Sequence, residues 1–561
     1  MSQPHSVPIP KQAKIHDFRR RWVVPVLLLT GVALSLFFGS YCVDHLLNGG
    51  SMQAGLGPLR HFWRFDAQSI TDAVSSLAGM IAAVFGIVIT VVSIVLQLSA
   101  NRYAGVTRMF LRDPVNLGVM AYYVITCVSA IWTSVSIQRD FVPKTVLLCT
   151  LSATSLGLVL MVPYFGYVFW FLEPQNIIER IRREALGAVR QGTTSAALRD
   201  VEAAQVRVIA ALEELTDVTS SSIGHKDKVI ASAAVDAMKD LALGYLQHKP
   251  KQDCQWFLLS EAARANPDFV AMELESLKDL ESRHTWFEWK AMRQYLGVFN
   301  DALGAMRDID YLVAIDTRYV GAGAAANHDT ELVRLVLHYM NSFLRSTLNV
   351  RDVRTAYNML NQYRILVEHL VRDDAMNDMA IEAVGYLEYY GRMSFGLELP
   401  FVTETIAYDF STLCQVAADS NARCERQLLE RFLHLDQPLR RGSDEPALLG
   451  IRKAQVKLAT YYLARRQIDR ARLICEDMRH EPKERLTVIR SSLEVVTNKD
   501  FWEIIDRGRN FEYMPDAQRQ TLPQFFAWIG IASTLDDDIE PPMPSSVALG
   551  AAPSVPAPFR S

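Results

Sequence analysis

Four uncharged stretches in the first third of the chain constrain its fold more than any other feature. They run over residues 22–43, 73–98, 117–137 and 145–171, and each is long enough, as a helix, to cross the roughly 30 Å hydrocarbon core of a bilayer. Backbone in lipid must satisfy its own hydrogen bonds, so uninterrupted apolar runs of this length predict helices. The first run lacks the small-residue cleavage pattern of a signal peptide and reads as a retained span. Half of the 561 residues are hydrophobic. Because the apolar runs end before Glu173, the chain divides into a membrane part and a water-soluble part.

The distribution of positive charge predicts an orientation. Lys11, Lys14, Arg19, Arg20 and Arg21 precede the first run, Arg102, Arg108 and Arg112 separate the second from the third, and Arg180, Arg182, Arg183 and Arg190 follow the fourth. The opposite flanks carry Arg60, Arg64, Arg139 and Lys144. By the positive-inside rule this is an inner (plasma) membrane protein with both termini in the cytoplasm. The lipid bilayer is the first partner implied, and Arg112, Arg180, Arg182 and Arg183 are candidates for contact with anionic lipid or with the soluble region. Aromatic clusters at Phe62, Trp63 and Phe65 and at Tyr167, Phe169, Trp170 and Phe171 suit the two interfacial belts.

The second run is two-faced. Ser76, Gly79, Ala83, Gly86, Thr90, Ser93 and Gln97 recur in steps of three and four, opposite Leu77, Ile81, Val84, Val88, Val91 and Val95. A small, weakly polar face lets helix backbones approach and predicts a packing surface, including one between copies in a homo-oligomer. The same residues lining a water-filled path would make an oligomeric ion channel. No Asp, Glu, Lys, Arg or His lies inside the four runs, which disfavours ion-coupled transport.

Residues 69–124 combine this small-residue span with Leu96, Gln97, Leu98 and Ser99 at its exit and Phe110, Leu111, Arg112 and Asp113 beyond it. In these features the first 190 or so residues resemble a bacterial family of predicted membrane proteins classed as domain of unknown function 2254. Where that family tends to have Phe-Ser-Pro-Arg, this chain has Tyr103, Ala104, Gly105 and Val106. The resemblance implies membrane architecture and brings no activity with it. Asp113 before Pro114 has the form of a helix start.

The remainder predicts an all-α protein: a basic N-terminus (1–21), the four-span domain (22–171), an amphipathic connector at the membrane surface (172–195), a cytoplasmic domain of helical hairpins, solenoid-like in character (196–530), and a Pro/Ala/Ser-rich disordered tail (531–561). Pro250, Pro267, Gly321, Gly323, Pro400 and Pro438 punctuate the helical domain as turns. Residues 454–482 resemble a single tetratricopeptide unit, with Leu458, Ala459, Tyr462 and Ala471 at its packing positions.

Chemistry is sparse. The soluble part carries 46 Lys and Arg against 56 Asp and Glu, which speaks against nucleic acid. Seven dispersed cysteines form no zinc pattern, and no phosphate-loop, zincin or hydrolase motif occurs. Asp373, Asp374 and Asp378 fit a solvated turn and helix start better than a metal site. No catalytic, cofactor or metal residue is nominated. The expectation is a membrane-anchored, non-enzymatic scaffold or sensor whose cytoplasmic domain binds a protein partner, with the channel as the alternative.

Overall fold

A computed structural model of the chain describes residues 28, 30–44, 67–100, 105–138, 141–194, 198–436, 445–500, 507 and 510–531. Regular structure among them is helical, apart from one isolated bridge between Gln138 and Phe141. Two compact units divide at Ile177 and Ile178.

In the first unit the expected four spans become three among the described residues. Helices α2 (Ala67–Ala100), α4 (Pro114–Ser136) and α5 (Lys144–Leu172) are long and apolar enough to cross a bilayer. The first apolar run is described as helix α1 over Thr30–Asp44, about 22 Å at 1.5 Å per residue and short of a crossing. Residues 22–27 and 29 lie outside the described residues, as do the basic N-terminus, the cluster Phe62, Trp63 and Phe65, and the tail from 532. A short helix, α3 (Val106–Leu111), links α2 to α4.

Helices α2, α4 and α5 pack on one another and place apolar and polar side chains in the reverse of a soluble bundle. Ile125, Ile131, Trp132 and Val135 on α4 are more than half exposed, whereas Thr126 and Thr133 on α4 and Thr150 and Thr154 on α5 are buried. The hydroxyls of Thr133 and Thr150 hydrogen-bond at 2.9 Å. Tyr122 and Tyr123 donate to the carbonyls of Ala153 and Gly157 at 2.6 and 2.8 Å. In lipid the outside needs no polar cover, so hydroxyls and close backbone contact hold the helices together. Gly157 marks the closest approach: a Cβ there would stand 3.0 Å from Ile81 Cδ1 and 3.5 Å from the Tyr122 ring.

The unit boundary falls within α6 (Pro174–Thr194). Beyond it, Ile178, Ile181, Ala185, Ala188 and Val189 are buried, Leu186 fills the space above Gly244, and the Trp256 ring covers Gly192. The apolar face of this connector is therefore covered by other helices of the second unit.

The second unit is a two-row stack of helical hairpins. One row is α7 (Leu198–Gly224), α10 (Trp286–Ala302), α12 (Thr330–Asn349), α14 (Asn377–Gly396) and α16 (Glu425–His434). The other is α8 (Lys228–His248), α11 (Arg307–Ala326), α13 (Val353–Arg372), α15 (Pro400–Ser420) and α17 (Glu445–Ala464). Each helix packs on the one before it in its row, and α7 with α8, α10 with α11, α12 with α13 and α14 with α15 form hairpins. Helices α11, α13, α15 and α17 begin at 307, 353, 400 and 445, a step of about 46 residues, within the range of two-helix stacked units. Between α8 and α10 lie a 3-10 turn (Lys249–Lys251), three single-turn α-helices and α9 (Leu274–Ser282). That stretch is pinned by the Trp256 and Trp286 rings, 5.3 Å apart, and by Gln205, which donates to the carbonyls of Trp256 and Leu258.

The turns follow a rule that glycine and proline do not announce. Lys226, His328, Arg351, Glu398 and Arg466 each adopt a left-handed backbone, with φ between 54° and 61°. The next residue then donates its N–H to a carbonyl five positions back: Asp227 to Ser222, Asp329 to Ala324, Asp352 to Thr347, Leu399 to Ser394 and Gln467 to Tyr462, all at 2.8 to 3.0 Å. This closure satisfies orphan carbonyls at a helix C-terminus. In three of the turns the next residue is an aspartate whose carboxylate caps the following helix, accepting from the N–H of Ile230, Leu332 and Thr355 respectively.

Gly321 and Gly323, expected in a turn, stand inside α11. A Cβ on Gly321 would meet Leu366 and Val336 at 3.0 Å, and one on Gly323 would meet Leu243 at 3.2 Å. Their role is close helix packing. Pro267 and Pro400 do open helices, Pro250 lies in a short 3-10 turn, and Pro438 is outside the described residues. Residues 454–482 form the hairpin of α17 and α18 (Ile468–Asp477), with Leu458, Ala459, Tyr462 and Ala471 fully buried. Helices α19 (Lys483–Val495) and α20 (Leu522–Ile529) follow.

Candidate functional site

The predicted stripe on α2 lies on the outside of the first unit. Ser76, Gly79, Ala83, Gly86, Thr90, Ser93 and Gln97 are all exposed, while Ile81 and Val88 from the opposite face are fully buried and Leu77, Val84, Val91 and Val95 half-buried. A Cβ at Gly79 or Gly86 would meet nothing within 4 Å. The hydroxyls of Ser76 and Thr90 bond to carbonyls of their own helix, those of Asp72 and Gly86. Among the described residues, then, the bulky face carries the bundle and the small face is left over.

The segment at residues 110–113 builds a buried polar knot. Phe110 is buried against the Phe171 ring, 5.3 Å away. Asp113 caps α4 by accepting from the N–H groups of Val115 and Asn116, and it also accepts from the Tyr167 hydroxyl at 2.6 Å. Tyr164 donates to Asn116 Oδ1 at 2.6 Å, and Asn116 donates to the Phe110 carbonyl. Tyr164 and Tyr167, read in the sequence as belt residues or passed over, thus tie α5 to the start of α4. Arg112 stays exposed at the end of α3. Arg182 forms a two-pronged pair with Glu179 at 2.8 and 2.9 Å, and Arg183 lies 3.3 Å from the same carboxylate. Arg180 is half-buried.

In the second unit the richest surface lies across α13, α15 and α17, where the chain returns after α19. Arg507 pairs with Asp409 of α15 at 2.5 and 3.2 Å and donates to the Tyr357 carbonyl of α13 at 3.1 Å. Its guanidinium sits 4.4 Å from the centre of the Tyr357 ring. Phe511 stacks on Tyr408, with ring centres 4.9 Å apart and planes 12° off parallel. Lys453 and Lys457 of α17 bind the Glu512 carboxylate and the Phe511 carbonyl at 2.7 and 2.6 Å. Asp409 is almost wholly buried, and burial raises its carboxyl while Arg507 and Arg364 pull it back down. Further along the same row Tyr319 of α11 is exposed, with the Arg318 guanidinium 4.1 Å above its ring.

Two charged clusters are internal. Arg452 is fully buried among Asp436, Asp477 and Glu481 at 2.5, 2.6 and 2.7 Å, and Lys290 is fully buried among Glu213, Asp268 and Asn266. Asp310, at the start of α11, is fully buried with neither carboxylate oxygen hydrogen-bonded. Burial pushes its carboxyl up to about 8, nearby Asp352 adds to that, and Arg307 opposes it. A cleft of 540 Å³ opens between the α10–α11 and α12–α13 turns, lined by Asn300, Arg307, Ser346, Asn349, Arg351 and Asp352 among others. Asp373 caps a short turn through the Ala375 N–H. Among the described residues no group of three His, Cys, Asp or Glu side chains is placed to hold a metal ion.

Sequence reading missed the Arg507 site and the Arg452 cluster, because each joins separate elements of the chain, and it missed Asp310, because burial of a single carboxylate leaves no local pattern. The residue pairs give no local pattern; Arg507 and Asp409 are 98 positions apart.

No curated protein and no solved structure matches this chain. Residues 19–244 match the family described as "Predicted membrane protein (DUF2254)", so the match runs past the first 190 residues and takes in α6, α7 and most of α8. The N-terminal part of the chain carries the family segment of a predicted membrane protein, and the stack from Tyr245 onward lies outside it.

Proposed function

We propose that this chain is a membrane-anchored interaction scaffold and not an enzyme: its apolar helices hold it in the inner membrane, and the hairpin stack binds a protein partner in the cytoplasm. The observation that carries this reading is the in-line second row, α8, α11, α13, α15 and α17, which presents a continuous face of helices far longer than one hairpin. Stacked hairpins touch only their neighbours, so they build extended surfaces suited to proteins and peptides. The excess of Lys and Arg on one set of flanks supports the cytoplasmic placement.

The test is site-specific photo-crosslinking of the full chain in cells. A crosslinker at exposed Tyr319 should give one defined adduct, and the same group at Val206 on the other row should not. Equal yields of the same products at both positions, or none at either, would sink the scaffold reading.

A second reading rests on the unpartnered small face of α2: a homo-oligomer packed through it, or a channel lined by it. Single cysteines at Ala83, Gly86, Thr90 and Ser93 in a cysteine-free chain separate the two. Labelling by an impermeant thiol reagent with the period of the stripe supports a pore. Protection together with disulfides between copies supports packing, and protection without crosslinks removes both.

A further inference from the structure

We propose that the face formed by α13, α15 and α17 is a peptide-binding groove, and that Arg507 and residues 510–514 occupy it as parts of a tethered ligand. The partner that displaces them is a peptide with an arginine, an aromatic side chain four residues on and a carboxylate directly after it. This deepens the scaffold reading and rests on it.

The segment does more than close the end of the stack. Helix α20 does that: Leu522, Phe525 and Phe526 are buried, and the helix packs on α17 and α18. A stacked hairpin contacts its neighbours alone, yet Arg507 reaches back to Asp409 and, 150 positions away in the chain, to the Tyr357 carbonyl. Arg507 and Phe511 touch α13 and α15, and Phe511, Glu512 and Met514 touch α17, so non-helical chain meets three successive helices of one row, as a bound peptide does.

The contacts also have the composition of peptide recognition. One cation and one anion of the segment meet opposite charges of the groove, at Asp409 and Lys453. One aromatic ring stacks on Tyr408, and one main-chain carbonyl is held by Lys457. The arginine anchor stacks over an aromatic ring as well as pairing with a carboxylate, a mode lysine reproduces poorly.

The groove is prepared to be vacated. Arg364 of α13 stands 3.4 Å from Asp409 and also pairs with Glu368. When Arg507 leaves, the buried Asp409 keeps a cation beside it, which avoids the large penalty of an isolated buried charge.

The experiment uses the full chain in lipid nanodiscs and a fluorescent synthetic peptide of residues 505–516 as probe. The double variant Arg507→Ala, Phe511→Ala should bind the peptide at least tenfold more tightly than the unaltered protein, read by anisotropy. Adding Lys453→Glu should abolish that gain, and a peptide with lysine at the Glu512 position should restore it. On unaltered protein, saturating peptide should speed amide exchange at residues 510–514, a measurement that needs no variant to fold.

Equal binding by variant and parent, or exchange unchanged under saturating peptide, overturns the proposal. So does peptide exchange that occurs only between copies of the chain, which would make the segment a swapped element of a dimer. If the Tyr319 adduct persists when peptide binding fails, the groove is wrong and the scaffold stands. If the adduct fails and the peptide binds, the reverse holds.

Discussion

The two units solve the same problem, packing helix on helix, with opposite distributions of side chains. The first keeps Thr133, Thr150 and Tyr123 inside and leaves Ile125, Ile131 and Trp132 outside. The second buries Leu366, Leu344 and Phe410 and keeps most charge at its surface. The difference teaches that burial has a different value in each. Removing apolar surface from water stabilises the stack, whereas lipid is as apolar as the bundle interior, so contact distance and hydrogen bonds decide the first unit.

The largest effect is expected where the stack breaks its own rule and buries charge. Arg452→Ala would leave Asp436, Asp477 and Glu481 together without their shared cation, a loss of about 3–5 kcal/mol. Denaturant unfolding of the purified chain should show it, and a change below about 1 kcal/mol would mean the cluster is wet.

Next comes a direct contrast between the units. Leu366→Ala, at a fully buried site packed on Gly321, should cost about 2–5 kcal/mol. Ile81→Ala, equally buried but in the first unit, should cost less, because its transfer is from lipid. Equal losses for the two would erase the distinction drawn above.

A pH series sharpens the picture of the stack. The folded form keeps on Asp310 a proton that the unfolded chain has released, so this stability is fully present below the ordinary carboxylate range. It is lost as pH rises towards about 8, with a slope of at most about 1.4 kcal/mol per pH unit. Asp310→Asn should flatten that part of the profile; an unchanged slope would assign it to another group.

Smaller still are the caps. Asp227→Ala removes the acceptor for the Ile230 N–H and should lower stability by about 1 kcal/mol. Smallest is Thr133→Val in the first unit, which loses the bond to Thr150 and should cost about 0.6 kcal/mol in thermal denaturation in lipid. A Thr133→Val effect larger than that of Leu366→Ala would invert the comparison.

How far the sequence carried this picture depends on the range of the interactions concerned. Uncharged runs and helical periodicity are local, and they led to α2, α4 and α5 and to an all-helical second unit. Asp113 before Pro114 was legible as a helix start for the same reason. The first run was not recovered as a full crossing, since its described helix begins at Thr30. The stripe was legible as a face, but nothing in it said that Ile81 and Val88 would be the residues turned inward. Turns were misread where Gly321 and Gly323 suggested them, because the signal is a left-handed Lys, His or Arg before an aspartate. Arg507 and Asp409 meet only after the stack has formed, which no window along the chain can reveal.

The recurrence of the turn at Lys226, His328, Arg351, Glu398 and Arg466, together with second-row helices that begin about 46 residues apart, bears on how such a chain can change length over generations. The step from Arg351 to Glu398 begins and ends at equivalent joints, so its duplication or loss leaves the flanking helices facing surfaces already shaped to receive them. Growth by whole modules would extend the row of helices without redesign of any joint, while a gain or loss of a few residues within a helix would put every later contact out of register.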